Sequence, residues 1–530
     1  MQLVENNRAL LLRLKNPDPV LATIPKSKLL SQEGEISQVL VKWGLEESQL
    51  LSKLRIKNVP SPIRRDYKWP GFHKPMSHQI KTASFLTLHK KAFCFNEQGT
   101  GKTASCIWAA DYLMNIGLVK RVLVICPLSI MDSAWRADLF TFAMHRRVDI
   151  AYGVPKKRKK IIEGDAEFVI INYDGVEIVQ KELQEADFDL IIVDEANAYK
   201  NNTTRRWKCL WNLVMPKTWL WMLTGTPAAQ SPEDAFGLAK LICPDRVPKF
   251  RGAWKDQVMV KISQFSWIPR RNAVAMVHDA LQPAIRFTKD QCLDLPEMVY
   301  TTRLVPLTPQ QSHYYKRIKT DMLVKTADEQ ITAVNAATVM NKLLQLSCGV
   351  VYSDSGEAIA FDGKNRLDVM LEVVRETTNK VLIFVPFRHA IEVVSETLTK
   401  EKISNEVVSG AVSATRRAEI FKKFQQEQDP RVLVIQPQAV AHGVTLTAAD
   451  TVIWFGPTMS LETYLQANAR VHRQGQTNKT TVVHLQGSGV EAQVYGALRR
   501  KEDIHSKVVE LFYNAVDKVN NSNENGESNG

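Results

Sequence analysis

Short, unbroken apolar runs alternate with longer stretches of mixed polarity along two parts of the chain. In the first they are AFCF (92–95), RVLVIC (121–126), FVII (168–171), LIIV (190–193) and WLWML (219–223). In the second they are VLIFV (381–385), VLVI (432–435), TVIWF (451–455) and TTVVHL (480–485). Runs of this length between polar turns predict strands buried on both faces, as in a parallel sheet covered by helices. The fold expected is therefore α/β, with two parallel-sheet lobes at 71–300 and 301–515 and a mostly helical insertion over 240–355. A small accessory region occupies 1–70, and the tail from 516 to 530, ending NNSNENGESNG, has the composition of a disordered segment. Within the accessory region Ile36–Leu54 reads as a helix. The proline-punctuated VPSPIRRDYKWPGFHKP (59–75) reads as an extended strap pinned to the domain surface, although its basic and aromatic residues would also suit base stacking.

At 530 residues the chain is too long for one core, which agrees with two lobes. Its net charge of +13 suits a polyanionic partner. Seven cysteines without a CxxC pair indicate neither a disulfide framework nor a structural metal. No apolar run is long enough to span a bilayer, and LLLRLK near the start is too short for a signal peptide, so no membrane association is expected. The cytoplasm of a bacterial or phage-infected cell is the expected compartment, ahead of a nucleus. KKRKK (156–160) resembles an import signal but reads better as a solvated helix start.

The chemistry is concentrated in a few strings. FCFNEQGTGKT (93–103) follows an apolar run and precedes the helical TASCIWAADYLM. Gly99 and Gly101 allow the backbone around Gln98 and Thr100 to turn its N–H groups toward a phosphate. Lys102 adds a point charge and the Thr103 hydroxyl a ligand for Mg²⁺. A strict phosphate loop would have glycine at Asn96. LIIVDEAN puts Asp194 and Glu195 at the end of a buried strand, where adjacent carboxylates are costly unless a cation or a reaction uses them. Asp194 would hold Mg²⁺ and Glu195 polarise an attacking water. WMLTGTPAAQ (221–230) runs a strand into Thr224 and Thr226, whose hydroxyls suit a relay from nucleotide to groove and equally a plain strand-to-helix turn. Gln79, at a helix start, can donate to and accept from an adenine edge, or simply face solvent. Far downstream, LETYLQANARVHRQGQ (461–476), read as one helix, sets Gln466, Arg470 and Arg473 on a single face, which suits an anion between the guanidinium groups.

In this order the strings resemble the Swi/Snf-type ATPases of helicase superfamily two, over roughly residues 72–512. QANARVHRQGQ is similar to that family's QAxxRxHRxGQ, and NEQGTGKT, DEANAYKN, LTGTP and VTLTAADTVIWF match its other boxes. The resemblance implies two RecA-like lobes with ATP and Mg²⁺ between them, and sequence-independent movement along duplex or branched DNA without obligatory strand separation. It assigns Gln79 to adenine, the loop from Gln98 to Thr103 and Gly443 to the nucleotide, Asp194 and Glu195 to Mg²⁺ and water, and Arg470, Arg473 and Gln466 to the nucleotide from lobe two. Candidate grips on DNA are Leu128, Ser129, Asn172 and Tyr173 in lobe one and Arg388 and Gln438 in lobe two. The chain departs from the family at Asn197, where histidine is usual and coupling to DNA is in question, and at Gln230. Val440, Ala441 and Thr445 also replace the family's usual residues. No accessory chromatin module is recognisable, a compact form resembling bacterial and phage versions. Two other activities fit the same lobes: a nucleotide-switched DNA clamp or scaffold with little turnover, and a strand-separating DNA or RNA helicase.

Overall fold

The structure is a computed structural model and describes residues 1–500 apart from 5–7, 72, 226–230, 263–266, 293–294, 329–332, 354–356 and 441–443, with the side chains of 319–337 also outside the description. The chain divides into two compact units. The first comprises Met1–Pro227, Asp234–Phe250 and Ala275–Cys292; the second comprises Ala228–Glu233, Arg251–Val274 and Leu293–Gly530.

The first unit opens with an antiparallel sheet of β1 (Gln2–Val4), β2 (Ala9–Leu14), β3 (Ser27–Glu33) and β4 (Ile36–Lys42), in the order β1-β2-β4-β3. The helix expected over 36–54 is thus corrected. ISQVLVK alternates buried and outward positions with period two, and β-branched Val39 and Val41 point into a core with Leu10, Leu12 and Leu51. Only Leu45–Lys53, after Gly44, is helical. That helix docks on the rest of the unit: Gln49 Nε2 donates to the Thr87 carbonyl at 2.9 Å, and Ser52 Oγ lies 3.0 Å from His89 Nε2. The strap that follows is pinned as expected. Tyr67 donates to the buried carboxylate of Asp111 at 2.6 Å, and Trp108 Nε1 donates to the Pro70 carbonyl at 3.1 Å. Tyr67, Trp69 and Trp108 meet edge to face at 5.1 and 5.6 Å, so these rings serve packing rather than base stacking.

The main sheet of this unit contains β5 (Lys91–Cys94), β6 (Val122–Cys126), β7 (Val148–Ile150), β8 (Phe168–Asn172), β9 (Leu190–Val193) and β10 (Trp219–Leu223). After a hairpin of β11 (Met259–Lys261) and β12 (Trp267–Pro269), which belongs to the second unit, comes its last strand, β13 (Ala284–Ile285). The order is β13-β5-β10-β9-β6-β8-β7 and every pairing is parallel. β6, β8, β9 and β10 are buried at every residue, as unbroken apolar runs between helical layers require. The KKRKK string lies in the helix Pro155–Ile162, with proline at its first turn. One of its members is not solvated: Arg158 is buried and donates to the carbonyls of Ala151 (2.7 Å) and Gly153 (2.9 Å) and to Asn172 Oδ1 (3.0 Å).

The second unit is built on β14 (Met298–Leu304), β17 (Lys380–Phe384), β18 (Asn405–Val408), β19 (Val432–Ile435), β20 (Ala449–Trp454) and β21 (Thr480–Gln486), with a small hairpin of β15 (Val350–Tyr352) and β16 (Ala358–Ala360) between them. The sheet order is β14-β21-β20-β17-β19-β18, again all parallel. Each unit is thus a helix-flanked parallel sheet of the RecA-like kind. The span 240–355 is mainly helical, with Arg251–Val258, Ala273–Ala280, Pro309–Asp328 and Ala333–Ser347 as its longer helices, and it also carries the short strands β11 to β13, β15 and the longer β14.

A buried ion pair ties this second sheet to its flanking helices. Arg366 Nη2 meets Glu491 Oε1 at 2.7 Å, and Glu491 Oε2 also accepts from the amides of Gly487 (2.7 Å) and Ser488 (3.0 Å). Removing one partner leaves the other charged in a dry interior. Glu491→Leu is expected to cost about 3–5 kcal/mol in urea unfolding, and the double change Arg366→Met/Glu491→Leu to recover part of that loss.

Candidate functional site

Because the first unit's sheet is wholly parallel, the carboxyl ends of its strands share one edge, where loops gather. β5 leads there into the glycine-rich loop, β10 into Thr224 and β9 into Asp194. Only β10 separates β5 from β9, so two strand spacings put their ends roughly 10 Å apart. Gly99 and Gly101 both take positive φ (84° and 75°), and Gly101 forms the N-cap of the helix Lys102–Asn115. A Cβ at Gly101 would lie 2.1 Å from Gln79 Nε2, so a side chain there would displace the end of Gln79, and the positive φ is what favours glycine. A tight glycine turn running into a helix N-terminus supplies the elements of a phosphate cradle.

Interactions that the sequence did not reveal hold the cradle. Asn96, where a strict loop would carry glycine, is fully buried: its Nδ2 donates to Thr82 Oγ1 at 2.8 Å and its Oδ1 accepts from Phe287 N at 3.0 Å. His78 Nε2 lies 2.8 Å from the Thr100 carbonyl, and Thr100 Oγ1 donates to the Glu97 carbonyl at 2.7 Å. Lys102 Nζ donates to the Asn96 carbonyl at 2.9 Å, which draws the ammonium over the loop. Gln98 stands beside Gly225, and Thr103 is partly exposed at the helix start. Gln79 is buried, and its Oε1 accepts from Met76 N at 2.8 Å, so this carbonyl caps its own helix.

The acid pair is equally supported. Trp135, fully buried, donates from Nε1 to Asp194 Oδ2 at 2.9 Å, and the amide of Glu195 donates to Asp194 Oδ1 at 2.9 Å. Trp135 is brought there by six residues, Met131–Arg136, wound as a π-helix, a form concentrated at functional sites. Glu195 itself takes a left-handed backbone (φ 48°), rare for a residue with a side chain, and turns the chain into the short helix Ala196–Tyr199. Asn197 lies in that turn, whose end packs so closely on the helix Ala235–Ile242 that a Cβ at Gly237 would fall 2.2 Å from the Lys200 carbonyl. Tyr173 donates to the carbonyls of Asp194 (2.7 Å) and Glu195 (3.3 Å), and burial followed by those two carboxylates pushes its phenol well up. The Cys106 thiol is likewise pushed up, mainly by burial. Asp194 raises it and Lys102 lowers it, so both charges of the site bear on one buried group.

In the second unit the arginine string departs from the single helix expected. The helix Leu461–Asn468 ends before either arginine, and Arg470 and Arg473 lie on the turns beyond it. Buried polar side chains impose the stop. Asn468 Oδ1 accepts from Trp454 Nε1 at 3.1 Å, His472 Nε2 lies 2.8 Å from the Pro296 carbonyl, and Gln476 Nε2 donates to the Ala449 carbonyl at 2.8 Å. Arg470 is buried and its carbonyl accepts from Leu446 N at 2.9 Å, while Arg473 Nη1 donates to the Val444 carbonyl at 3.2 Å. Gln466 is buried with its amide 3.2 Å from Glu462 Oε1. The shared-face geometry therefore does not hold, although both arginines stand beside the same loop.

The remaining candidates are dispersed. Leu128 and Ser129 are exposed after the carboxyl end of β6, and Arg388 and Gln438 are exposed after β17 and β19. Asn172 is turned inward to Arg158 and Tyr173 toward the acid pair. Thr224 is fully buried with its amide on the Cys94 carbonyl at 3.1 Å, linking β10 to β5. Val440 is core, not a phosphate-facing turn residue. Thr226, Gln230, Ala441, Gly443 and the tail lie outside the described residues. No helix among the described residues is long and apolar enough to cross a membrane.

Residues 78–349 match the SNF2-related domain and residues 365–475 the helicase conserved C-terminal domain. An uncharacterized ATP-dependent helicase of Mycoplasma genitalium is 25% identical over 424 residues, covering 78% of this chain and 40% of that protein. The CHD3-type chromatin-remodeling factor PICKLE of Arabidopsis thaliana is 24% identical over 507 residues, covering 86% of this chain and 36% of that protein. The chain therefore spans well under half the length of these two relatives. Among solved structures, the Sulfolobus solfataricus SWI2/SNF2 ATPase core in complex with dsDNA is similar with a TM-score of 0.42 at 23% identity, over 83% of this chain and 94% of that one.

Asn96 offers a direct check on how the loop is held. Asn96→Gly, which restores the strict loop pattern, is expected to lower stability by about 2 kcal/mol in chemical denaturation, because two buried hydrogen bonds are lost.

Proposed function

The chain belongs to the SNF2-related family, and from that premise we propose that it is a DNA-dependent ATPase that moves along duplex DNA without needing to separate the strands. The observation that carries the reading is the gathering, at one edge of a parallel sheet, of a glycine-rich loop with its lysine and a buttressed pair of carboxylates. Lys102 and the loop amides bind the terminal phosphates of ATP. Glu195, held in place by its strained backbone, orients the water that attacks the γ-phosphorus and accepts its proton. Thr103 and Asp194 are the groups that would hold Mg²⁺. Each Asp194 oxygen has one lone pair engaged by an N–H and another left for a cation, and a few such ligands completed by phosphates are what this ion takes. Bound there, the ion would neutralise charge on the phosphates. Among the described residues no cluster of three or more metal-ligating side chains competes for it.

Arg470 and Arg473 supply charge to the transferring phosphate from the second lobe. Loss of that phosphate on hydrolysis removes their attraction, and the cycle of closing and release drives the lobes along the duplex. Contact through phosphates accounts for the net charge of +13 and predicts binding without sequence preference. Leu128, Ser129, Arg388 and Gln438 are the exposed candidates for that grip. Asn172 and Tyr173, turned inward, act as supports that transmit movement of the acid pair. Gln79 reaches adenine only if its carbonyl gives up the cap on Met76.

Steady-state ATP turnover with and without duplex DNA tests the reading. Duplex DNA is expected to stimulate the wild-type chain, Glu195→Gln to lose on the order of 10²-fold or more in turnover while still binding ATP, and Lys102→Ala to lose both. Turnover that ignores DNA, or that survives Glu195→Gln, would exclude this mechanism. A chain that binds DNA in response to ATP with no turnover would instead be a switched clamp.

A further inference from the structure

The N-terminal sheet carries a charge pattern that its own folding does not explain. Where β2 begins and β4 finishes, Trp43 N donates to the Arg8 carbonyl at 2.8 Å and Lys42 N to the Lys26 carbonyl at 3.1 Å, which draws three strand ends together. The register sets Lys42 opposite Ala9 and Lys28 opposite Leu40. An open groove of about 770 Å³ results, lined by Trp43, Leu40 and Ala9 with Arg8, Lys26, Lys28, Lys42 and Arg65 around them, and with no carboxylate among the described residues of its lining.

Like charges gathered on neighbouring strands repel and work against the sheet. Two of the five are partly offset. Arg65 bonds Asp66 at 2.6 and 2.9 Å with its guanidinium 4.9 Å above the Trp43 ring, and Lys26 is 3.9 Å from Glu47. Arg8, Lys28 and Lys42 are exposed and form no ion pair with a described residue.

We propose that this groove binds the sugar–phosphate backbone of DNA outside the motor, without regard to base sequence. The lining explains why backbone rather than base is the ligand. Trp43 is buried and its indole N–H donates to the Pro60 carbonyl at 2.9 Å, so no ring face is offered for stacking. A protein partner is disfavoured by the same geometry, since among the described residues the groove's lining offers no exposed aromatic, and its one half-exposed aliphatic side chain, Leu40, stands among cations. The inference rests on the DNA reading above and deepens it: a hold that does not change with the nucleotide keeps the chain on its track while the motor releases and resteps.

The test uses the full chain. Lysine acetylation is read by mass spectrometry with no addition, with duplex DNA, with single-stranded DNA and with inorganic polyphosphate, and DNA affinity is measured against salt for wild type and Lys28→Glu/Lys42→Glu. Either DNA is expected to protect Lys28 and Lys42, and the double variant to keep its DNA-free ATP turnover while its log-affinity against log-salt slope falls by about 1.8, two phosphate contacts. Lysines as reactive with DNA as without it, or protected by polyphosphate alone, would overturn the groove. DNA-stimulated turnover without protection sinks the groove and leaves the motor; protection without stimulation does the reverse.

Discussion

A carboxylate buried at the open end of a parallel sheet is the constraint on which the first lobe depends. Asp194 is tolerable there because each of its oxygens accepts an N–H, one from its own neighbour's backbone and one from Trp135. The second of these ties the acid to the π-helical segment after β6, while Tyr173 ties the backbone of the same pair to the start of the helix after β8. The π-helical segment follows directly on the exposed Leu128 and Ser129, and its Ser133 Oγ donates to the Ser129 carbonyl at 2.9 Å. One indole and one phenol thus fasten the acid pair to two neighbouring elements.

The second lobe solves a related problem differently. Its arginines are placed by a turn whose shape is dictated by Asn468, His472 and Gln476, each bonded to an element distant along the chain. A buried polar network of this kind fixes geometry more sharply than an exposed helix face would, because every member has only one way to satisfy its hydrogen bonds. QANARVHRQGQ thus divides into residues that present charge and residues that set where the charge stands.

Much of this was legible beforehand. The nine apolar runs all fall on strands, because burial on both faces leaves an unmistakable mark in the sequence. The loop and the acid pair were legible for the same reason, since each follows one of those strands. What escaped was edge and tertiary structure. β14 is half exposed along its length and shows no apolar run, and in the 36–54 segment a period-two strand runs straight into a helical stretch, so that apolar spacing alone does not separate the two. Asn96 looked like a defect in a motif, and only its bond to Phe287, 191 residues away, shows it to be a support. The helix expected across Arg470 and Arg473 failed because local spacing does not reveal that buried side chains terminate it.

The proposed role of Arg473, charge supplied to the transferring phosphate, is tested most directly by one variant. In Arg473→Ala, measured for both ATP affinity and maximal turnover on duplex DNA, turnover is expected to fall by about 10³–10⁵ while affinity changes little, as for charge supplied mainly to the transition state. Unchanged turnover would contradict the account, because the arginine would then be no part of the chemistry.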